Sequence, residues 1–280
     1  MINLVTITIP VFNASEYLQY AIQSVINQTF KEWILILIND GSNDDSLSIM
    51  KKFASIDNRI RIIDDGLNKG LVSRLNESIR MTTTKYYARM DADDIMHITR
   101  IEKQVKYMEQ HPEIDVLGSS IMIIDKDNNI VGSGLSKGYV ERFNHPTVMG
   151  KTDWFKRNNY ADWAIRAEDL ELWCRTYRNS VFWSLDKPLL FYRELGIPSC
   201  KKSIASYKSE LIIYSKYCEY GKGLDWFFTN SFKTLLKIFL YMLFACFKQE
   251  QFLVKKRRRV PVKDINCLSS EDLIASIRST

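Results

Sequence analysis

Short apolar runs alternate with segments of helical hydrophobic spacing through the first third of the chain. The run from Leu4 to Ile9 has the composition of a buried strand, and apolar positions then recur at helical intervals at Leu18, Ala21, Ile22, Val25 and Ile26. A second apolar run, from Trp33 to Ile38, is followed by one helical face made of Leu47, Met50, Phe53 and Ala54. The pattern predicts two successive strand–helix units.

The alternation of strands and helices continues with two more strands. Ile60 to Ile63 is a third strand, a polar loop covers residues 64–70, and the next helix, lined by Leu71, Leu75, Ser78 and Ile79, precedes a fourth strand from Tyr86 to Met90. Continuous apolar strands alternating with helices are typical of a mostly parallel sheet covered on both faces, so we predict an α/β fold. Asn13, with Glu16 three residues later, predicts an N-cap and capping box for the first helix.

The second half of the chain is less regular. Asp115 to Ile124 and Ile130 to Gly132 flank a polar turn and predict a hairpin. Residues 168–178 have helical spacing, and residues 181–192 predict one or two strands. We therefore predict one domain over residues 1–200 and a helical, basic extension over residues 201–280.

Composition and charge narrow the class of protein. The last 80 residues hold 15 Lys and Arg against 7 Asp and Glu, whereas the preceding 200 hold 24 against 26, which suggests an enzyme body with a basic appendage. The 5 cysteines are widely spaced without a C-x-x-C pair, which favours a reducing cytosol over a disulfide framework or a zinc site. Residues 1–9 lack a basic start and precede Pro10, so we expect neither a signal peptide nor a membrane span there.

Three polar clusters fall where predicted parallel strands end, at residues 10–13, 40–45 and 91–94. Ligands of parallel sheets bind beyond these carboxyl ends. No glycine-rich dinucleotide or P-loop motif follows the first strand, which argues against a nicotinamide-dependent oxidoreductase and a P-loop enzyme.

The cluster Asp91-Ala-Asp-Asp94 has two interpretations. Acidic residues suit the start of the helix whose apolar face includes Ile98 and Ile101. Alternatively, Asp91 and Asp93 hold Mg²⁺ or Mn²⁺, since hard divalent cations take oxygen ligands and relieve the repulsion between neighbouring carboxylates. The position at the end of a buried strand favours the metal site.

Other side chains at this edge also have both a structural and a functional interpretation. Asp40 suits a turn, or it accepts a hydrogen bond from a nucleobase. Phe12 suits the core, or it offers a flat surface for a base. Glu168 and Asp169 suit the first turn of a helix, or one of them is a general base that removes a proton from an acceptor hydroxyl.

Taken together, the motifs resemble those of the family 2 glycosyltransferases. The matching segments, in order, are Thr8-Ile-Pro-Val-Phe-Asn13, Asn39-Asp-Gly-Ser42, Asn68-Lys-Gly70 with Asn76, Arg89-Met-Asp-Ala-Asp-Asp94, Arg100 with Gln104, and Ala167-Glu-Asp169 with Leu172-Trp173. The resemblance covers about residues 4–195. Within this family, the chain resembles bacterial glycosyltransferases that build surface polysaccharides. It implies a GT-A fold and transfer, with inversion, from a nucleotide-diphosphate sugar, most often a UDP-sugar.

The resemblance also implies roles for single residues. Asp40 would bind the base, Asp91 the ribose or the metal shell, Asp93 the metal, and Asp169 would be the catalytic base. The remaining donor-site residues would be Pro10, Phe12, Asn13, Glu16, Asn68, Gly70 and Arg74. Arg74 stands one position earlier than the basic residue expected before Asn76.

One departure from the family pattern follows the last strand. Many relatives have Tyr-Arg-x-His there, and this chain has Leu195 in place of that histidine, with Arg193 as a candidate substitute. His145, in His145-Pro-Thr147, fits an acceptor-side segment, and we predict a packing or hydrogen-bonding role for it rather than a catalytic one.

The extension contains the most apolar part of the chain, at residues 224–247. Lys233 and Lys237 interrupt it, so a membrane span is not expected. It is either a helix packed on the enzyme or an interfacial helix whose following run, Lys255-Lys-Arg-Arg-Arg259, meets anionic lipid. We predict the second, with residues 224–259 on the inner face of the cell membrane and a lipid-linked glycan as acceptor, in O-antigen, capsule or exopolysaccharide synthesis.

Other functions remain as alternatives. The isolated basic run has no accompanying nucleic-acid-binding motif, so we expect no nucleic-acid partner. A sugar-1-phosphate nucleotidyltransferase would share the layout and the acidic metal site, but it would need a glycine-rich basic loop after the first strand, where this chain has Val11-Phe-Asn-Ala-Ser-Glu16. A membrane-bound scaffold that has lost turnover is the third hypothesis, suggested by the missing histidine.

Overall fold

The computed structural model describes residues 4–164, 166–196, 200–217, 223–247 and 268–278. Its strands are β1 Val5–Val11, β2 Trp33–Asn39, β3 Ile60–Asp64, β4 Tyr86–Arg89, β5 Ile95–Met96, β6 Val116–Ile124, β7 Ile130–Gly134, β8 Gly138–Tyr139, β9 Met149–Lys151 and β10 Phe182–Arg193. Its α-helices are α1 Leu18–Ile26, α2 Ser46–Ile56, α3 Leu71–Met81, α4 Arg100–Gln110, α5 Thr152–Arg157, α6 Glu168–Thr176, α7 Cys200–Tyr217, α8 Gly223–Cys246 and α9 Ser270–Ile277, with short 3₁₀ helices at His145–Thr147 and Tyr177–Asn179.

All ten strands belong to one sheet. The order along its main path is β3-β2-β1-β4-β9-β6-β10-β5, with β7 added to β6 and β8 to β10. The pairings β1–β2, β1–β4, β2–β3 and β6–β10 are parallel, while β9 runs antiparallel to both β4 and β6. Six of the described strands therefore point the same way, namely β1, β2, β3, β4, β6 and β10, and the predicted mostly parallel α/β sheet is confirmed.

Both faces of this sheet are covered, because alternate side chains of β2 pack into two different apolar clusters. Leu35 and Leu37 belong to the large apolar core that includes α1 and β1. Ile34, Ile36 and Ile38 form a separate cluster on the opposite face. A strand that is buried on both sides needs an uninterrupted apolar sequence, which explains the run from Trp33 to Ile38.

The loop after β1 differs from the prediction. Helix α1 begins at Leu18, and Tyr17 at its N-cap makes no side-chain capping bond, so the predicted capping box is wrong. Asn13 has a φ of +49°. Its N–H donates to Ser42 Oγ at 3.1 Å, and its Oδ1 accepts from the N–H of Asn43 at 2.8 Å. Asn13 thus joins the loops that follow two neighbouring parallel strands.

A buried polar pair fixes α4 beneath the sheet. Arg100 donates through Nε to Gln104 Oε1 at 3.0 Å and through Nη2 to the carbonyl of Arg89 at 3.0 Å. Gln104 donates to the carbonyls of Leu117 and Thr147 at 3.2 and 2.9 Å. Because the bonds to Arg89, Leu117 and Thr147 reach three different elements, the pair sets the position of the end of β4, from which the acidic loop leaves.

The described part of the C-terminal region has two components. Helices α7 and α8 pack on each other, and α7 also contacts α6. Residues 268–278 lie against the sheet domain, where Leu268 and Leu273 pack with Ile95 and Phe191. Within the described ranges, no helix combines the length and apolar character that crossing a membrane requires. Lys248 and the basic run at 255–259 lie outside these ranges, and the predicted domain boundary at residue 200 stays a prediction.

Candidate active site

The carboxyl ends of β1, β2 and β4 surround an open cavity of about 510 Å³. Nine of the ten predicted donor and metal residues line it: Pro10, Phe12, Asn13, Glu16, Asp40, Asn68, Gly70, Arg74 and Asp93. Asp91, the tenth, is not among the lining residues. Phe12 is 51% exposed at this surface and is not a core residue, so its ring is available to a ligand. Tyr17 and Leu71 also line the cavity and were missed from the sequence.

Asp40 is the centre of a hydrogen-bonded group at the start of α3. Its Oδ1 accepts from the N–H of Lys69 at 2.7 Å and from Arg74 Nε at 2.9 Å, and its Oδ2 accepts from the N–H of Gly70 at 3.1 Å. These two N–H groups belong to the residues just before α3, where the helix dipole favours a negative charge. Asp40 therefore fixes the loop that carries Asn68 and Gly70 against the end of β2.

Arg74 is fully buried, and its guanidinium group is already engaged. Besides Asp40, it bonds Asp65 at 2.7 Å and Glu77 at 2.8 Å, as well as the carbonyl of Leu67. Arg74 lines the cavity, but its donors are directed at protein groups. It holds the loop of residues 67–70 in place through the carbonyl of Leu67 and through Asp40.

The acidic loop, residues 91–94, connects β4 to β5. The alternative that it starts a helix is wrong, because β5 intervenes and α4 begins only at Arg100. Burial, and then the charge of Asp91, raises the pKa of Asp93 to about 6. Asp94 is fully buried; its Oδ1 accepts from the N–H of Arg193 at 2.8 Å, while its Oδ2 finds no hydrogen-bond partner among the described residues.

These carboxylates fit a hard divalent cation. The donor atoms are all oxygens, and burial, followed by like-charge repulsion from Asp91, raises the pKa of both Asp93 and Asp94. A cation at this loop would relieve the repulsion and lower both pKa values. Arg89, which is buried and bonded to Asp91, supplies positive charge to this loop from the protein.

Arg193 holds the main chain of the acidic loop. Its Nε donates to the carbonyl of Asp93 at 2.8 Å, and its Nη2 donates to Asn128 Oδ1 at 2.6 Å. Its guanidinium carbon also lies 4.2 Å from the ring centre of Tyr17. These donors hold the loop and its neighbours, and the substitution of Arg193 for the family histidine stays a prediction. Leu195 lines the cavity itself and is 49% exposed.

Glu168 and Asp169 begin α6 on the other side of Gly70. Glu168 lines a second cavity of about 510 Å³ that shares Gly70 and Leu71 with the first, so the two cavities adjoin. Burial, and then the charge of Asp169, raises the pKa of Glu168 to about 7. Burial also raises the pKa of Asp169. Raised carboxyl pKa values in a cleft suit a general base.

His145 lies behind this acidic pair, in the packing role predicted for it. It is 9% exposed, its Nε2 lies 2.8 Å from the hydroxyl of Tyr160, and its ring meets Trp173 edge-on. Candidate metal-ligating atoms of His145, Glu168 and Asp169 all lie within 4.8 Å of one another. Burial holds the pKa of His145 well below its usual value.

Tyr160 is a site residue that the sequence did not indicate. Its main chain is held by Asn76, which donates to the Tyr160 carbonyl and accepts from the Tyr160 N–H, each at 2.9 Å. The loop that carries Tyr160 has no periodicity, so only Asn76, as part of a motif, pointed to this place.

Comparison with known proteins gives the family. The sequence model of Glycosyl transferase family 2 matches residues 6–184. An uncharacterized glycosyltransferase of Haemophilus influenzae is 40% identical over 136 residues, covering 48% of this chain and 42% of that protein. The uncharacterized glycosyltransferase MJ1057 of Methanocaldococcus jannaschii is 31% identical over 86% of each chain. The O-antigen biosynthesis glycosyltransferase WbnJ of Escherichia coli is 27% identical over 74% of this chain and 86% of its own length.

Coverage of the relatives is uneven. This chain spans less than half of the Haemophilus protein, yet most of the Methanocaldococcus protein.

The fold has counterparts among solved structures. S. aureus TarS 1-349 in complex with UDP-GlcNAc superposes with a TM-score of 0.65 at 15% identity, covering 83% of this chain and 71% of that one. The mannosyltransferase PcManGT of Pyrobaculum calidifontis, in complex with GDP-Man and Mn²⁺, gives 0.62 at 12% identity, covering 99% and 86%. The sheet is thus of the GT-A type, and the chain belongs to glycosyltransferase family 2.

Proposed function

We propose that the protein is an inverting glycosyltransferase that moves a sugar from a nucleotide-diphosphate sugar to a hydroxyl group of a glycan. The observation that carries the proposal is the adjoining pair of cavities: Phe12, Asp40 and Asp93 line the first, and Glu168, next to Asp169 in sequence, lines the second. A donor placed in the first cavity would present its anomeric carbon toward the second. An acceptor hydroxyl in the second would meet a carboxylate of raised pKa.

In this proposal the donor cavity recognises the nucleotide by shape and hydrogen bonding. The exposed ring of Phe12 stacks on the base, and Asp40 accepts a hydrogen bond from it while holding the 68–70 loop in place. Asp93, with Asp91, holds Mn²⁺ or Mg²⁺, which supplies positive charge to the leaving diphosphate when bound. Pro10, Asn13, Glu16, Asn68, Gly70 and Arg74 shape and fix the walls of the donor site.

Transfer is then a single displacement. As the acceptor oxygen forms its bond to the anomeric carbon, Asp169 removes the hydroxyl proton, and the bond to the diphosphate breaks with its electron pair on the departing oxygen. Attack comes from the face opposite the diphosphate, so the configuration inverts. Burial helps because it raises the pKa of Asp169 and so makes it a stronger base.

Relatives and structural neighbours support a donor class and a pathway for this proposal. TarS was solved with UDP-GlcNAc, and WbnJ acts in O-antigen biosynthesis by its name. We infer a UDP-sugar donor and an acceptor in bacterial O-antigen, capsule or exopolysaccharide synthesis. PcManGT, solved with GDP-Man, makes a GDP-sugar the first donor to compare.

Helix α8 supports a peripheral membrane location for the enzyme. Thr234 and Tyr241 on one face are buried, and Tyr241 packs on Tyr207 of α7. The opposite face carries large exposed apolar side chains along the whole helix, at Leu224, Phe228, Phe232, Leu235, Leu236, Phe239, Met242 and Leu243. An exposed apolar stripe of this length, followed in sequence by a basic run, suits insertion into the headgroup region of an anionic bilayer. The cytoplasmic face of the cell membrane would present a lipid-linked glycan there.

Vesicle flotation tests the location. Phe232→Ser with Phe239→Ser should release the protein from vesicles that contain anionic lipid, whereas Ile56→Ser, which removes an apolar side chain that is 70% exposed on α2, should not. Wild-type protein that stays with the soluble fraction at low salt would refute the membrane contact.

Release of the nucleoside diphosphate from a panel of UDP- and GDP-sugars tests the activity. Asp169→Asn and Asp93→Ala should each reduce turnover by about 10²-fold or more, because they remove the base and a metal ligand. The exposed Asp153→Asn of α5 is the matched control and should retain wild-type turnover. Equal activity of all three variants would contradict the mechanism, and an inactive wild type that still binds nucleotide would favour the scaffold hypothesis.

A further inference from the structure

Strand β5 lies at the edge of the sheet and follows the acidic loop directly. It has only two residues, Ile95 and Met96, and begins immediately after Asp94. On one side it pairs antiparallel with β10. A strand this short has little stability of its own, so the position of the acidic loop depends on what else holds β5.

A segment distant in sequence packs against this strand. We call residues 268–278 the strap. Its helix α9 buries Leu273 and Ser276, which lie three positions apart and therefore share one face of the helix. Leu268 and Leu273 belong to one apolar cluster with Ile95 of β5. The strap therefore completes the apolar cluster in which β5 is buried.

Hydrogen bonds join the strap to the sheet domain at two further places. The N–H of Ile98, two residues after β5, donates to Ser276 Oγ at 3.2 Å, and this hydroxyl donates to the carbonyl of Asp272 at 2.8 Å. Asn27, the residue after α1, donates through Nδ2 to the carbonyls of Ser276 and Arg278 at 3.0 and 2.9 Å. The strap is thus bonded both to α1 and to the chain that leaves β5.

The helix of the strap depends on this contact for its stability. A capping box fixes its start: Ser269 Oγ accepts from the N–H of Asp272 at 3.2 Å, and Asp272 Oδ2 accepts from the N–H of Ser269 at 2.7 Å. A helix of 8 residues is nevertheless marginal in water by itself, so packing of its buried face must stabilise it. A substitution on that face should therefore loosen the strap and β5 together.

We propose that the strap positions the acidic loop for a divalent cation, because it holds β5 and Ile98 and so fixes the end of the loop that carries Asp93. Leu273 and Ser276 are then positioning residues, since neither lines the donor cavity. Contacts that orient a metal ligand without supplying one change metal affinity by about 10–100-fold. The inference rests on the proposed function, because it takes the acidic loop as the metal site.

Hydrogen exchange tests the hold on the loop without metal or substrate. Leu273→Ala removes a side chain that is 4% exposed, and Ile274→Ala, at the next position and 57% exposed, is the matched control. In Leu273→Ala the amides of residues 94–98 should exchange at least about tenfold faster than in wild type, while those of β2 stay unchanged. The control should match wild type in both places. Unchanged exchange of residues 94–98 in Leu273→Ala would overturn the proposal.

Calorimetry with Mn²⁺ alone tests the consequence for the metal site. Leu273→Ala should weaken Mn²⁺ binding by about tenfold, and Ser276→Ala, which removes only the hydroxyl group, should weaken it in the same direction. Ile274→Ala should keep the wild-type affinity. The measurement is made at a temperature where circular dichroism shows each variant to be folded. Wild-type Mn²⁺ affinity in both Leu273→Ala and Ser276→Ala would mean that the strap serves stability only, and would overturn the inference.

Binding of UDP without metal separates this inference from the proposed function. It depends on the loops after β1 and β2, so its affinity should be the same in wild type and in Leu273→Ala. Equal losses of UDP and Mn²⁺ binding would indicate a general loosening and would overturn the positioning role. Wild-type protein that binds no Mn²⁺ would instead reject the metal site of the proposed function, and the exchange rates of residues 94–98 would then decide by themselves whether the strap holds the loop.

Discussion

Replacement of Arg74 by Met tests how the loop of residues 67–70 is held. Arg74 is fully buried and lies 2.9 Å from Asp40, whose side chain is only 8% exposed. Met keeps the apolar part of the side chain and removes the charge, so Asp40 would remain buried without its partner. Breaking a buried ion pair from one side costs about 3–5 kcal/mol. Asp65 and Glu77 are partly exposed and can be solvated, so they add little to this cost.

The expected loss is large enough to measure by thermal unfolding. At about 2–4 °C per kcal/mol for a chain of this size, Arg74→Met should lower Tm by about 6–20 °C. Arg80→Met, an exposed position on the same helix, is the matched control and should change stability by less than about 0.5 kcal/mol. Combining Arg74→Met with Asp40→Asn should cost less than the two single changes together. A variant that melts within about 2 °C of wild type, or full additivity with Asp40→Asn, would refute the buried-pair argument.

Three further predictions concern the loops and the acids. Gly41→Ala should cost more stability in urea unfolding than Gly66→Ala, because both glycines have a φ of +71° but only Gly41 would place a Cβ 2.9 Å from a neighbouring backbone nitrogen; equal costs would mean that backbone strain alone matters. Arg193→Met should weaken Mn²⁺ binding by about tenfold or more in calorimetry, since it removes the support of Asp93, and unchanged affinity would contradict that support. Glu168→Gln should gain stability relative to wild type as pH rises from about 5 to 8. The pKa of Glu168, about 7 in the folded protein, lies above its unfolded value, so the wild-type protein loses stability as pH rises through it. A difference in Tm that does not change with pH would contradict the raised pKa.

Much of the fold followed from the spacing of apolar residues. The first three strands and the helices between them lie close to where the pattern placed them, and the signal is strongest at β2, which is buried along its whole length and is apolar up to Ile38. The hairpin of β6 and β7 is also confirmed, with Ile123 opposite Gly132. Short strands gave no such signal: β5 has two residues, Ile95 and Met96, and forms by pairing with β10, a partner about 95 residues away that local pattern cannot reveal.

The site was predictable where a motif marked it and not where tertiary contacts formed it. Asp40 and the acidic loop stand directly after strands, so their common edge followed from the parallel sheet. Asn13 was wrongly assigned to a helix cap because the competing partner, Ser42, is 29 residues away. Arg193 and Tyr160 act through main-chain bonds and a buried ring, which leave no periodic trace in the sequence.

Thermal stabilisation by nucleotides tests the central claim most directly. A ligand at about 100 times its Kd should add about 2.7 kcal/mol of stability to the folded protein. The account predicts that UDP, or failing that GDP, raises Tm, that Mn²⁺ increases the effect, and that Asp93→Ala abolishes the Mn²⁺-dependent part while Asp153→Asn keeps it. No stabilisation by any nucleoside diphosphate, or a Mn²⁺-dependent shift that persists in Asp93→Ala, would contradict a metal-assisted donor site at the end of β4.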